Sequence, residues 1–131
     1  MAKNVSIDRL ANEIAQAVQD YTEDVSAGID LTVDDIATEV LMETSVRAPR
    51  ATGKYARSFV KTNKSLKTHG NRRYVIWNKK YYRLVHLLEF GHAKVGGGRV
   101  PGQPHMIPVF DKWAPELEKR IKRVIRNGGK S

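Results

Sequence analysis

Three side chains are spaced for chemistry: His86, Glu89 and His92 stand three residues apart, with His105 further on. On a continuous helix such residues share a face and can offer imidazole, carboxylate and imidazole to a metal ion. The order is not that of the HExxH zinc signature, and Gly91 is expected to end any helix before His92. The trio is therefore only a weak metal candidate, and no metal is expected. The plainer expectation sets His86 at a packing surface and gives Glu89 a backbone group or an arginine to bond. The run Gly96-Gly97-Gly98 is not a phosphate loop, because no strand precedes it and no GK[ST] opens a helix after it. GxGxxG is also missing, and VGGGRVPGQP reads as a flexible loop. Ser58, His69 or His86 and an acid can be written down as a triad, but no nucleophile-elbow sequence supports it. The expectation is a protein that is not an enzyme, with no catalytic or cofactor-binding residues.

Aromatic and basic residues interleave in the middle of the chain: Lys54-Tyr55, Arg57, Phe59, Arg73-Tyr74, Trp77 and Lys79-Lys80-Tyr81-Tyr82-Arg83. Rings beside cations can stack bases and grip phosphates, as single-stranded nucleic-acid binders do. The preferred reading is more ordinary. Phe59, Tyr74 and Trp77 cover a strand face, while the lysines and arginines face solvent, and no RRM, KH or zinc-finger signature argues otherwise.

Charge is distributed unevenly along the 131 residues, whose net value is +9. Residues 1–45 hold 2 basic and 10 acidic residues, or −8; residues 46–131 hold 21 basic and 4 acidic residues, or +17. From Arg47 to Arg83 there are 12 lysines or arginines and no acid. A polyanion could meet the basic part through phosphate contacts. Equally, acidic and basic faces of identical subunits could meet head to tail and close a ring. The absence of cysteine removes disulfides, a thiol nucleophile and cysteine-based zinc sites. No apolar run approaches the roughly 20 residues of a membrane helix, and MAKNVSIDRL does not read as an export signal. A soluble, unexported protein with no membrane partner is expected.

These residues must be positioned by helices around a strand region. Ile7, Leu10, Ile14, Val18, Tyr21 and Val25 form one helical stripe, which Ser6 can cap and Gly28 is expected to interrupt. Thr32 with Asp35 announces a second helix, faced by Val33, Ile36, Ala37, Val40 and Leu41 and stopped near Ala48 by Pro49. Ser58–Asn63 and Tyr74–Asn78 read as an antiparallel hairpin whose long connection turns at His69-Gly70-Asn71. Lys79–Glu89 suits a short helix, and His92–Gln103 a long loop. A third helix is expected from Pro108, with the stripe Phe110, Ala114, Leu117, Ile121 and Val124; Pro115 either kinks it or begins its main part. The fold class is α+β: a small antiparallel sheet against two or three amphipathic helices, with a long Gly/Pro-rich loop. One domain spans 1–127, with a flexible loop at 92–103 and a disordered tail at 128–131.

Three segments give the chain a family resemblance. They are Ala48-Pro49-Arg50-Ala51-Thr52-Gly53-Lys54-Tyr55-Ala56-Arg57-Ser58, Leu88-Glu89-Phe90-Gly91, and Gln103-Pro104-His105-Met106-Ile107-Pro108. In order and spacing, from about Leu31 to Arg126, the chain resembles the tail-completion, or head–tail joining, proteins of tailed bacteriophages and prophages. His92 stands where that family commonly has Thr, His105 where it has a large apolar residue, and Tyr55 where it has Leu. The physical roles expected are a turn at Thr52-Gly53, Phe90 anchored in the core beside a turn at Gly91, and, after Gln103, a re-entry stiffened by Pro104 and Pro108.

The resemblance implies a structural virion protein of the neck or tail that acts in head–tail joining or tail completion as an oligomeric ring, commonly a hexamer. Its implied partners are itself, neighbouring neck and tail-tube proteins, and DNA touched non-specifically as it passes the channel. Assembly would take place in the host cytoplasm. Lys94, Gly96, Gly97, Gly98 and Arg99 are the expected subunit-interface loop. Lys61, Lys64, Lys67, Arg72 and Arg73 are the expected exposed basic patch. The alternative is a basic nucleic-acid-binding protein that uses the Arg47–Arg83 region.

Overall fold

Both N-terminal apolar repeats lie on one continuous helix, α1 (Ile7–Arg47), in the computed structural model, which describes residues 7–65 and 72–130. The expected break at Gly28 does not occur. A Cβ at Gly28 would lie 2.5 Å from the Gly129 carbonyl oxygen and 2.8 Å from Val124 Cγ1. The glycine thus serves a close crossing, which outweighs its propensity penalty of about 1 kcal/mol. Thr32 caps no second helix; its buried hydroxyl donates to Gly28 O at 2.8 Å within α1. The helix ends before Pro49, and the Arg50 guanidinium reaches back to the carbonyls of Ser45 and Val46. Ser6, Lys67, the turn at His69-Gly70-Asn71 and Ser131 lie outside the described residues.

A single-turn helix, α2 (Lys54–Arg57), leads into β1 (Phe59–Asn63), which pairs with β2 (Tyr74–Asn78) as the sequence suggests. The pairing is antiparallel, with Phe59 opposite Asn78 and Asn63 opposite Tyr74. Alternation turns Phe59 and Ile76 inward. Trp77 covers the other face, its indole N–H donating to Thr62 Oγ1 at 2.8 Å. The expected helix near residues 79–89 is a 3-10 turn (Tyr82–Leu84) continued by α3 (Val85–Phe90).

The predicted loop at 92–103 contains a second, short antiparallel pair, β3 (Gly91–Ala93) with β4 (Arg99–Pro101). The last helix, α4 (Ile107–Arg126), runs through Pro115 without division. Pro115 and Asp111 are both exposed, so water can serve the carbonyl that the missing N–H would have bonded. In the last described residues Gly129 N–H donates to Val124 O at 2.9 Å, closing a C-terminal turn over α1.

The expected α+β class holds: among the described residues four helices accompany two two-stranded antiparallel sheets. The main core cluster joins Ile36, Ala37 and Val40 of α1 to Ile76 of β2 and Val109 of α4. A second cluster joins Ala48, Ala56 and Phe59, and Leu41 packs against both. Phe110, expected on the buried stripe of α4, is 45% exposed, and Val109 takes its place at 0%. The stripe is rotated because α4 rests on α1 through Val109, Trp113 and Leu117.

Gly28→Ala is expected to destabilise the fold by about 1–2 kcal/mol, although alanine is the better helix former. Thermal unfolding checks the sign; a raised Tm would show that the crossing at Gly129 constrains nothing.

Candidate assembly surfaces

The Glu-Phe-Gly segment works differently from its expected anchoring role. Phe90 is 59% exposed, whereas Glu89 is 3% exposed. Glu89 Oε1 accepts from the backbone N–H groups of His105 (3.0 Å) and Met106 (3.1 Å), and Oε2 from Ile107 (3.0 Å). These are the N–H groups at the start of α4 that have no partner inside the helix, and Pro108 in that first turn brings none. The carboxylate also meets the positive end of the helix dipole. Burial pushes the Glu89 carboxyl up, but the N–H groups of Ile107, His105 and Met106, with His105 beside it, hold it below the usual carboxylate value.

His105 is fully buried next to this cap. Its Nδ1 lies 2.8 Å from Gln103 O and 3.0 Å from Glu89 Oε1, both acceptors, so Nδ1 carries the hydrogen. Tyr55 O–H lies 2.7 Å from His105 Nε2, where a neutral imidazole accepts it. Burial, then the Glu89 charge, pushes the Tyr55 hydroxyl up to about 12. Tyr55 and His105 thus satisfy each other. No metal arrangement results from the spaced trio. Among the described residues no three His, Cys, Asp or Glu side chains are grouped to hold a metal ion. His86 is exposed rather than at a packing surface, and Glu89 is engaged by backbone groups.

Gly91 holds the next turn with φ 81°, and a Cβ there would come 2.4 Å from Val100 O. Its small size lets β4 return directly over the end of α3. From there Gln103 N–H donates to Leu88 O at 2.8 Å. The Gln103 side-chain amide lies 3.4 Å from Arg47 O at the end of α1, and Pro104 is exposed. At the other end of the chain's first turn, Gly53 sits at φ 78° before α2, and Thr52 Oγ1 accepts from Lys54 N–H at 3.3 Å.

The predicted interface loop forms the tip between β3 and β4. Lys94, Gly96, Gly97 and Gly98 are all exposed there, and the three glycines have positive φ with open space around them. Arg99 is tied down, with Nη2 donating to Phe90 O at 2.9 Å. The predicted basic patch is divided. Lys61 faces α1, donating to Asp34 Oδ1 at 2.6 Å and Thr38 Oγ1 at 2.9 Å, and Arg72 pairs with Asp30 at 3.6 Å. Lys64, Arg72 and Arg73 are exposed. The register explains the division, since Lys61 lies opposite the inward Ile76.

Two apolar features complete the surface. Residues 7–24 of α1 are exposed throughout, so the stripe Ile7, Leu10, Ile14, Val18 and Tyr21 is largely bare. Tyr21 has one anchor, its O–H donating to Ile125 O at 2.7 Å. In addition, an open groove of about 170 Å³ lies between the β1–β2 hairpin and α4, with α1 as its floor. The stripe was visible in the sequence as periodicity. The groove was not, since it forms from three distant segments.

Residues 12–91 match the family model described as "Bacteriophage HK97-gp10, putative tail-component". That match covers more than half of the chain, which therefore belongs to this family of phage tail components. It includes the Thr52-Gly53 turn and ends on the Glu89-Phe90-Gly91 segment. No curated protein and no solved structure matched the chain.

Replacing Glu89 by Gln is expected to cost about 2 kcal/mol, because a charged acceptor shared among buried N–H groups is lost. Because the folded-state value lies below the unfolded one, this contribution is present above the unfolded carboxylate value, about 4.3, and is lost as pH falls through the folded value. Thermal unfolding between pH 3 and 7 should therefore show a shallower acid loss for Glu89→Gln than for the parent. Equal slopes would contradict the assignment.

Proposed function

We propose that this phage structural protein acts in head–tail joining or tail completion, as an oligomeric ring in the neck or tail and without catalysis. The observation that carries the reading is the bare amphipathic half of α1. Such a helix is only marginally stable alone in water and gains its stability from burial of its apolar face. Family membership supplies the virion setting, and the exposed β3–β4 tip offers a second contact for neighbouring neck or tail-tube proteins. On this reading assembly occurs in the host cytoplasm and the exposed basic residues touch passing DNA non-specifically. The buried polar groups also suit a structural role, since Glu89, His105 and Tyr55 are engaged with one another and with the backbone.

A second reading, binding of nucleic acid as the main activity, draws on one local feature. Arg57, Lys79 and Lys80 line a shallow depression with Ser58 and Val60. Cations converging on a concavity can grip phosphates without reading sequence.

Light scattering combined with electron microscopy should find rings of the purified protein, alone or with a partner tail protein. DNA binding should be weak and fall steeply with salt. A strict monomer missing from virions would sink the ring reading, and tight saturable binding to one oligonucleotide at physiological salt would favour the second reading.

A further inference from the structure

The bare stripe of α1 cannot enter the groove of its own molecule. Residues 7–24 belong to the same continuous helix as Val33, Ile36 and Val40, which floor the groove. A helix cannot fold back on itself, so stripe and groove meet only between molecules. Their shapes agree. The stripe presents Ile14 and Val18, 56% and 59% exposed, as protruding aliphatic knobs at helical spacing. The groove is walled by Tyr74 and Ile76 on one side and by Phe110 and Trp113 on the other. Its volume suits side chains inserted from a helix lying across it, as in ridges-into-grooves packing.

Charge points to the same occupant. Residues 7–24 carry five carboxylates (Asp8, Glu13, Asp20, Glu23 and Asp24) and one arginine, Arg9. Both aromatic walls of the groove carry cations: Lys61 lies over Tyr74 at 4.9 Å, and Lys112 and Arg120 over Trp113 at 5.2 and 5.8 Å. Each of these cations also holds a carboxylate of its own chain, so their role toward an incoming acidic helix is orientation more than affinity. A nucleic acid has the wrong sign for the stripe.

We propose that the acidic N-terminal half of α1 docks its Ile14–Val18 face into the Tyr74–Trp113 groove of a second copy of this chain. The inference rests on the self-assembly reading and gives it a specific contact. Stripe and groove are different surfaces, so the contact is heterologous and propagates to a closed ring or an open filament.

The test uses two full-length variants altered at exposed positions: Ile14→Lys with Val18→Lys on the stripe, and Ala114→Glu on the groove lining. Sedimentation should find the parent assembled and each variant monomeric, with unchanged helicity by circular dichroism. An equimolar mixture of the variants retains one intact stripe and one intact groove and should yield a heterodimer that goes no further. If helicity falls in the lysine variant, Ile14→Gln with Val18→Gln replaces it. Variants that assemble like the parent, or a mixture that gives no heterodimer, would overturn this contact while leaving the ring reading intact. A parent that stays monomeric at every concentration would also overturn this contact, and one that in addition forms no ring with a partner tail protein and is missing from virions would remove the ring reading itself.

Discussion

One buried carboxylate sets the geometry of the C-terminal half. Glu89 closes the start of α4 from outside that helix, so α4 cannot shift without leaving amide groups unpaired in the interior. Its position fixes what α4 meets. Val109 and Trp113 then rest on α1, and the C-terminal turn reaches Gly28 twenty residues further along. Tyr55 and His105 extend the same polar node to α2, with ring contacts of 5.4 Å between them and 5.8 Å from His105 to Phe59. The cap therefore links the two core clusters through one titratable group.

The charge asymmetry of the sequence is settled in part within each molecule. Asp34, Asp30 and Glu43 on the second half of α1 engage Lys61, Arg72 and Lys112 from the basic remainder. Such pairs contribute little individually when exposed. Their effect is to sort the surface: three carboxylates on the packed half of α1 are engaged by cations from beyond that helix. On the bare half, Glu13, Asp20 and Glu23 meet Arg9, Gln16 and Gln19 of their own helix. The net negative field is thereby concentrated on the arm.

Elements with strong local periodicity were legible in the sequence, and features made by tertiary contact were not. The β1–β2 hairpin followed from alternating β-branched and aromatic residues, and α4 from its apolar repeat. Gly28 misled because a propensity penalty of about 1 kcal/mol is small beside a tight helix crossing. Thr32 misled because a threonine can bond backward within a helix as well as cap one. The Glu-Phe-Gly motif suggests a buried Phe90, yet Glu89 is the buried member, because the amides at the start of α4, sixteen or more residues further on, take its carboxylate. Lys61 looked like solvated charge until the register turned it to α1, while Arg72 stays exposed and pairs with Asp30. The contact between Tyr55 and His105 joins residues 50 positions apart, so no local pattern reveals it.

The length of α1 gives the molecule a lever. From Gly28 to Ile7 the bare arm extends about 30 Å, at 1.5 Å per residue, from a fulcrum where it is gripped by Val124 and Gly129. A tilt of about 10° there displaces the far end by about 5 Å, which approaches one helical turn. In any assembly joined through the arm, small changes of packing at the fulcrum become large changes of diameter. The span of the whole is then governed by contacts deep within each member, not by the surfaces that touch.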